Sequence, residues 1–345
     1  MNLLITGGAG FIGSHYARHL RRARAGDLLV NVDALTYAGN LENLRQLEGD
    51  PGHVFVRADI RDGAAMLELM RRYQIEAVVN FAAESHVDRS IQSAEPFLDT
   101  NVVGTLRLLE AARAAGVRRF LQVSTDEVYG SLGPTGAFEE STPVAPRSPY
   151  SASKAAADHL VMAFHHTHGM DTVITRCSNN YGPYQFPEKL IPLMILNALG
   201  GQALPIYGDG LYVRDWIHVE DHCEAIDVVF ARGAAGDVYN IGAENERTNL
   251  DVVRAILQLC GRSPTLVRHV GDRPGHDRRY AMNSKKVREA LGWRPRHTFE
   301  EGLAETVAWY RGNGPWAERV RSGAYRDYYE RQYGARLAVG GGGER

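Results

Sequence analysis

The chain has few lysines, and this shortage directs attention to the ones that remain. Of its 39 basic residues, only Lys154, Lys189, Lys285 and Lys286 are lysines. A GC-rich genome produces such an arginine-rich composition. Lys154 and Lys189 still matter, because an ammonium group is a compact point charge that a guanidinium group does not replace well.

Cysteine is also scarce. Cys177, Cys223 and Cys260 are odd in number and far apart, which fits neither a disulfide framework nor a zinc site, so we expect buried free thiols. No pair of histidines has a spacing that indicates a metal site. We therefore expect no bound metal. We interpret three histidines, His218, His222 and His269, as structural or surface residues.

Long apolar runs and excess charge are missing as well. No segment approaches 18 uninterrupted apolar residues, and the chain opens directly into a predicted strand at 3–5 rather than into a signal sequence. The net charge is −2 at pH 7, which gives no reason to expect nucleic-acid or membrane binding. We expect a cytoplasmic globular protein.

Short apolar runs alternate with helical patterns through the first half of the chain. Runs at 3–5, 28–32, 54–56, 77–81, 120–123 and 173–175 predict strands, and patterns at 15–23, 64–73, 100–115 and 151–168 predict helices. Apolar strands separated by helices indicate a parallel sheet covered on both faces. After Gly182 prolines interrupt the pattern, which predicts a smaller, interleaved second domain with helices at 250–260, 284–291 and 299–312.

A glycine-rich segment follows the first predicted strand and opens the first helix. Glycines at 7, 10 and 13 allow a tight turn, the close approach of a pyrophosphate and close packing of helix on strand. Asp33 lies 20 residues beyond Gly13, at the end of the second strand, where an acid accepts hydrogen bonds from a ribose diol and repels a 2′-phosphate. This combination predicts an NAD site.

Two further strand ends extend the predicted cofactor site. Asp59 and Ile60 follow the third strand, where they are placed to meet the adenine, although an ordinary turn carboxylate is an alternative for Asp59. Phe81, Ala82 and Ala83 follow the fourth strand and offer small residues beside the cofactor.

The segment Ser124–Gly130 and the segment Tyr150–Lys154 carry the predicted chemistry. Tyr150 and Lys154 are four residues apart and share one face of a helix. A nearby cation and a positive nicotinamide ring would both favour the phenolate of a tyrosine, whose pKa is ordinarily about 10. A packing tyrosine and a solvated lysine show the same spacing, but the glycine segment and the hydroxyl of Thr125 favour proton transfer with a sugar alcohol.

The order of glycine motif, strand-end hydroxyl and Tyr-x-x-x-Lys resembles the extended short-chain dehydrogenase/reductase superfamily. More narrowly, the chain resembles the dTDP-glucose 4,6-dehydratase family. Four blocks carry this resemblance, which runs from residue 1 to about 330: 83–90 (AESHVDRS), 125–127 (TDE), 176–184 (RCSNNYGPY) and 187–192 (PEKLIP). Sugar-nucleotide 4-epimerases share the Tyr-Lys pair but typically carry small uncharged residues at positions 126 and 127.

The resemblance implies a Rossmann-type, doubly wound α/β fold and a three-step reaction. Tyr150 takes the C4 hydroxyl proton while NAD takes the C4 hydride, with Thr125 and Lys154 assisting. Glu127 then removes the C5 proton, and a protonated Asp126 helps the C6 hydroxyl to leave as water. The hydride returns to C6, so NAD stays bound. A 4-epimerase, a dehydratase of another nucleotide sugar and a non-catalytic NAD-sensing regulator are the alternatives.

The resemblance also implies the remaining contacts and a partner. The predicted cofactor residues also include Phe11, Ile12, Leu35, Thr36, Ser85, Thr100, Tyr150, Lys154 and Asn180. The predicted substrate residues are Ser85, Thr125, Asn179, Lys189, Leu190, Pro205, Tyr207, Arg214, Asn249, Arg273 and His276. Related enzymes pair the helices at 100–115 and 151–168 with their symmetry mates, so we expect a homodimer.

A domain division follows from the same pattern. The predicted NAD-binding domain comprises 1–183 plus about 214–242, and the predicted nucleotide-sugar domain comprises about 184–213 plus 243–333. The tail at 334–345 is rich in glycine and is expected to be disordered.

Overall fold

The structure is a computed structural model that describes residues 1–321. The tail predicted to be disordered lies outside the described residues. The strands are β1 Asn2–Thr6, β2 Leu28–Asp33, β3 His53–Arg57, β4 Ala77–Asn80, β5 Arg119–Thr125, β6 Asp171–Cys177, β7 Asn179–Tyr181, β8 Leu204–Tyr207, β9 Val213–His218, β10 Asp237–Ile241, β11 Glu246–Thr248 and β12 Val267–Val270.

Helices account for most of the remaining described chain. They are α1 Phe11–Ala23, α2 Gly63–Arg72, α3 Val87–Gln92, α4 Glu95–Phe97, α5 Thr105–Ala115, α6 Pro149–His168, α7 Leu190–Leu199, α8 Val219–Arg232, α9 Asn249–Cys260, α10 Lys285–Leu291, α11 Phe299–Gly312 and α12 Gly314–Val320. Short 3₁₀ turns occupy Leu41–Leu47, Asp126–Tyr129 and Pro264–Leu266.

Seven strands form one parallel sheet in the order β10-β6-β5-β4-β1-β2-β3. Neighbouring residues of β1 face opposite sides: Leu3 and Ile5 belong to one core cluster and Leu4 to another. Helices cover both faces, so the strands are apolar along their length rather than alternating with polar residues. The predicted doubly wound sheet is confirmed. The pattern in the first half of the chain did not predict β10, which joins the sheet at one edge.

The predicted helix at 100–115 begins earlier than expected. It follows α4 without a break, and its segment Leu98–Gly104 is a π-helix. Asn101 lies in this wider turn, where its amide accepts from the backbone N–H of Glu84 (2.8 Å) and donates to the Glu84 carbonyl (3.0 Å) and the Ser153 hydroxyl (2.8 Å). Hydrophobic spacing does not reveal such a turn, because the side chain that occupies it is polar.

The remaining elements surround a separate apolar cluster. Helices α7, α9 and α11 contribute Ile195, Val253 and Leu303 to this cluster. A parallel pair, β8 with β12, and a three-stranded sheet in the order β11-β9-β7 complete this part. Within residues 1–321, no helix combines the length and apolarity needed to cross a membrane.

Candidate active site

A cleft of about 490 Å³ opens at the carboxyl ends of the parallel strands. It spans β1 and β4, where the strand order reverses, which is where sheets of this kind bind ligands. Most of the predicted site residues line it: Gly7, Gly10, Phe11, Ile12, Gly13, Asp33, Thr36, Asp59, Ile60, Phe81, Ala82, Ala83, Ser85, Thr100, Thr125, Asp126, Glu127, Tyr150, Lys154, Asn179, Asn180 and Lys189.

The glycine segment forms a cradle that side chains would fill. A Cβ atom at Gly7, which has φ +65°, would lie 2.7 Å from the backbone nitrogen of Ala82, and one at Gly13 would lie 2.3 Å from the Gly7 carbonyl oxygen. Helix α1 follows with Gly10 at its N-cap, no side-chain cap and no acidic residue in its first turn. Its first amides are therefore available to a phosphate, and the segment fits a dinucleotide.

Asp33 also supports this cradle from the end of β2. Its carboxylate accepts from the backbone N–H groups of Ala9 (2.9 Å) and Leu35 (2.7 Å). Burial raises the pKa of Asp33, and these hydrogen bonds oppose the rise. Leu35 itself does not line the cleft, but its left-handed backbone (φ 54°) presents that N–H to Asp33. Asp59 does line the cleft while also pairing with Arg61 at 2.7 Å, so both interpretations of Asp59 remain open.

The end of β5 places a hydroxyl and two carboxylates in the cleft. The Thr125 side chain caps the 3₁₀ turn Asp126–Tyr129 by accepting from the Glu127 N–H at 3.3 Å. The same hydroxyl donates to Asp126 at 3.2 Å. Asp126 is 2% exposed, and its Oδ2 has no hydrogen-bond partner among the described residues. An acid in this position is well placed to meet a ligand.

Burial and mutual repulsion act together on this pair. Burial raises the pKa of Asp126 well above its ordinary value, and the neighbouring Glu127 raises it further. Burial also raises the pKa of Glu127, against opposition from Arg273, Lys189 and Arg214. Two adjacent carboxyl groups in unequal environments suit the roles of acid and base.

Tyr150 and Lys154 project from the first turns of α6. Ser148 caps this helix through a reciprocal hydrogen-bond pair with Ser151. Lys154 Nζ donates to the Val123 carbonyl at 2.7 Å, and burial lowers the pKa of Lys154. Burial and then Glu127 raise the pKa of Tyr150 well above 10. The protein groups thus favour the protonated phenol, and we expect the positive charge of a bound cofactor to favour the phenolate.

Tyr207, Arg214 and Arg273 are predicted substrate residues that do not line the cleft, whereas Lys189 does line it. Arg273 donates to Asp88 at 3.0 Å, and the Tyr207 hydroxyl donates to the same carboxylate at 3.0 Å. Lys189 donates to the Ser85 carbonyl at 2.7 Å. We call Lys189, Asp88, Tyr207, Arg214 and Arg273 the outer wall. Its cations lower the pKa of Glu127, so this wall faces the carboxylates.

Arg214 and its neighbours complete this side. Arg214 donates to the Asp277 carbonyl at 2.8 Å and lies over the Tyr280 ring at 4.2 Å. The His276 ring stacks on Tyr212 at 3.7 Å. Asn249 is buried at the start of α9, and its Oδ1 has no partner among residues 1–321. Two other predicted substrate residues lie apart from the cleft lining: Leu190 begins α7, and Pro205 lies in β8, paired with β12.

Several cleft residues were not singled out from the sequence. Cys177, Ser178 and Glu188 line the cleft and lie inside sequence blocks that carried the family resemblance, so those blocks held the available signal. Arg61 and Phe186 also line it, and no motif pointed to them. The buried thiol of Cys177 donates to the Ser124 carbonyl at 3.3 Å, and its pKa is raised to about 12 by burial.

The histidines were interpreted as structural or surface residues. His222 is fully buried and bonds Asn180 Oδ1 at 2.8 Å. Away from the cleft, His218, Glu220 and His297 offer potential ligand atoms within 4.8 Å of one another. The two imidazole rings lie 4.1 Å apart and tilted by only 36°, so they are close to face-to-face. Imidazole lone pairs lie in the ring plane, which makes this arrangement unfavourable for one shared metal ion.

Comparison with known proteins agrees with this geometry. The family described as GDP-mannose 4,6 dehydratase matches residues 4–306. A dTDP-glucose 4,6-dehydratase from Xanthomonas campestris pv. campestris (strain B100) is 55% identical, with 94% of this chain and 97% of the relative covered. This chain belongs to the dTDP-glucose 4,6-dehydratase family. The family lies within the extended short-chain dehydrogenase/reductase superfamily.

Two solved structures represent the two strongest interpretations, a 4,6-dehydratase and a 4-epimerase. The crystal structure of the dTDP-glucose 4,6-dehydratase DesIV from Streptomyces venezuelae, with NAD and dTDP bound, superposes with a TM-score of 0.90 at 51% identity, covering 93% of this chain and 100% of that one. The UDP-glucose 4-epimerase of Thermus thermophilus, in complex with NAD, gives 0.84 at 33% identity, covering 91% and 100%. The fold is therefore common to both activities, and the site residues must distinguish them.

Proposed function

We propose that this protein converts dTDP-glucose to dTDP-4-keto-6-deoxyglucose and water, with NAD as a tightly bound cofactor. The observation that carries the proposal is the carboxyl pair beside Thr125 in the cleft, which consists of the buried Asp126 and the half-buried Glu127. Oxidation at C4 alone does not need a second acid and base, whereas elimination of water across C5 and C6 does. Membership of the dTDP-glucose 4,6-dehydratase family supports the same reaction.

The chain's own residues handle the protons. Tyr150 takes the proton of the C4 hydroxyl, and Thr125 hydrogen-bonds that oxygen. Glu127 removes the C5 proton, which the C4 ketone has acidified, and C5 is reprotonated after water has left. Asp126, protonated because burial and Glu127 raise its pKa, gives its proton to the departing C6 hydroxyl. The chemistry that NAD supplies when bound is reversible hydride acceptance, so the cycle needs no second oxidant or reductant.

Binding roles follow from the geometry on each side of the cleft. The glycine cradle, α1 and Asp33 hold NAD, with Leu35 acting through its backbone. The outer wall supplies cations for a nucleoside diphosphate, and arginine suits this task because its planar fork makes two parallel hydrogen bonds. The Oδ1 atoms of Asn249 and Asn179 have no hydrogen-bond partner within residues 1–321, which supports polar contacts with the substrate.

The 4-epimerase and the NAD-sensing regulator are weaker candidates. An epimerase has no use for a buried acid at position 126, and a regulator needs neither this pair nor Tyr150. The base preference, thymine over uracil, rests on the family alone.

A direct assay tests the proposal. Incubation with dTDP-glucose in deuterated water should give a 4-keto-6-deoxy product, detected by its alkali-induced absorbance, with solvent deuterium at C5. A parallel incubation with UDP-glucose measures the base preference. Formation of the C4 epimer alone would contradict the proposal, and NAD binding without turnover of either sugar nucleotide would favour the regulator.

We also propose the domain division at about 184, 214 and 243 and a cytoplasmic location. The division is supported by the pairing of β10 with β6 and the packing of α8 against α1, and the location by the absence of any disulfide among the free Cys177, Cys223 and Cys260.

A homodimer through α5 and α6 completes the proposal. Several apolar residues of these helices are buried within the chain, namely Leu109, Val161 and Phe164. Leu98 and Val103 remain 51% and 41% exposed, which supports a subunit contact beside these helices.

A further inference from the structure

Within the glycine cradle, hydrogen bonds hold both peptide groups of Ala9. Its N–H donates to Asp33 Oδ2 at 2.9 Å, and its carbonyl accepts from Asn43 Nδ2 at 2.9 Å and from the Asn40 N–H at 3.1 Å. Both peptide planes flanking Ala9 are thereby fixed. These planes lead directly into the first turn of α1, whose amides would face a phosphate.

Asn43 has a second partner that comes from the far end of the chain. It is 3% exposed, and its Oδ1 accepts from the indole N–H of Trp316 in α12 at 3.1 Å. The two contacts fix the orientation of the amide, because the Ala9 carbonyl requires a donor and the indole requires an acceptor. Rotating the amide by 180° would lose both hydrogen bonds.

This pairing is not a general consequence of burying a tryptophan in this chain. Trp216 and Trp293 are 4% and 5% exposed, and their indole nitrogens have no hydrogen-bond partner within residues 1–321. Trp316 also packs on Trp309 (ring centroids 5.1 Å apart) and Tyr184 (5.8 Å), so its ring is held in place while its N–H reaches Asn43.

We propose that Trp316 and Asn43 are positioning residues through which α12 holds the glycine cradle in its NAD-binding shape. The inference rests on the proposed use of NAD. Neither residue lines the cleft. Asn43 acts on the Ala9 carbonyl directly, and Trp316 acts on it through Asn43. Losing either contact leaves the peptide that precedes α1 less firmly held, with the Asn40 N–H still bonded to the same carbonyl. The consequence is weaker retention of a cofactor that the reaction requires to stay bound.

The test is NAD affinity, measured by calorimetry on cofactor-stripped protein, together with the melting temperature without NAD. Asn43→Asp keeps the acceptor for Trp316 but removes the donor to Ala9, and Trp316→Phe removes the indole donor. We expect each to raise the Kd for NAD about tenfold, the cost of one unsatisfied buried hydrogen-bonding group. Trp309→Phe is the control for the aromatic cluster. Arg319→Gln is the control for α12 docking, because it breaks the ion pair with Glu42 in the same turn.

The double variant tests whether Trp316 acts on Ala9 only through Asn43 or by a separate contact. In an Asn43→Leu background the bond to Trp316 no longer exists, so Trp316→Phe should have no further effect on the Kd. Three results would each overturn the proposal that Trp316 acts through Asn43: full additivity of the two effects on the Kd, an unchanged Kd in both single variants, or an equal loss of NAD affinity in Trp309→Phe. A wild-type chain that binds NAD tightly but leaves dTDP-glucose unchanged would overturn only the proposed function.

Discussion

The ionisable groups on the two sides of the cleft have different surroundings. On the sheet side, Thr125, Asp126, Glu127, Tyr150 and Lys154 form what we call the floor, where ionisable groups are buried and burial is the largest influence on their pKa values. On the outer wall, the cations donate to identified oxygen atoms: Arg273 to the carboxylate of Asp88, and Lys189 and Arg214 to backbone carbonyls.

The floor contains groups that change protonation, whereas the outer wall contains groups that hold a fixed charge. A buried carboxyl without a counterion has a raised pKa and can act as an acid, and a buried phenol keeps its proton until the charge of a ligand favours the phenolate. A guanidinium paired with a carboxylate stays charged. Substitutions on the floor should therefore lower kcat, and substitutions on the wall should mainly raise KM.

The largest effects are expected on the floor, and they should differ between its members. Tyr150→Phe removes the base for the first proton, so neither product nor reduced cofactor should form. Glu127→Gln leaves that step intact and blocks the second. Each should lower kcat by about 10²–10⁴-fold. Stopped-flow absorbance of the reduced cofactor should show a transient in the Glu127 variant only.

Two results would contradict the assignment of Tyr150 and Glu127 to separate steps. Equal amounts of reduced cofactor in both variants would remove the assignment of separate steps. Retained C5 deuterium exchange in Glu127→Gln would show that another group removes the C5 proton. Calorimetric NAD binding, unchanged in both variants, serves as the control for folding.

A wall substitution should act on binding. Arg273→Met removes a charged donor and leaves Asp88, which is 6% exposed, without that partner. Charge-assisted hydrogen bonds of this kind contribute about 1.5–3 kcal/mol, so KM for dTDP-glucose should rise about 10- to 100-fold with a smaller change in kcat. Asp88→Asn is the matched control, because it tests the pair while keeping Arg273. A kcat effect larger than the KM effect would place Arg273 with the floor.

The same comparison explains what could be predicted from the sequence. The cofactor site and the floor depend on strand ends and helix starts, which sequence spacing reveals, and nearly all their predicted residues line the cleft. The wall joins residues far apart in the chain: Arg273 and Asp88 are separated by 185 positions. No local pattern predicts that contact. The Trp316–Asn43 contact was not predictable for the same reason. The π-helical turn around Asn101 was missed because a polar side chain occupies it.

The proposed dimer should affect the floor more than the wall. Helix α6 carries Tyr150 and Lys154 on its first turns, so a subunit contact along α5 and α6 would brace them. Val103→Glu places a charge on an exposed apolar residue of this surface. It should give a monomer near 38 kDa by light scattering and lower kcat several-fold with little change in KM. A wild-type mass near 38 kDa at micromolar concentration would remove both the dimer and the bracing argument.

The smallest expected effect, a change in stability, should have opposite signs in the two regions. Burial and then Glu127 raise the folded-state pKa of Asp126. Its folded form therefore binds the proton more tightly than the unfolded chain, and stability falls as pH rises from the unfolded pKa of about 3.9 toward the folded one. For Asp88, burial favours the neutral form, but Arg273, His86 and Tyr207 outweigh it and hold the pKa below the ordinary value. Its contribution is present above the unfolded pKa and is lost as pH falls through the folded one.

Thermal melts at pH 7.5 should thus show a Tm a few degrees higher for Asp126→Asn and a few degrees lower for Asp88→Asn. The gain for Asp126→Asn should shrink as the pH is lowered toward 4.5, and a gain that did not shrink would show that Asp126 is charged in the folded protein, which would remove it as the acid.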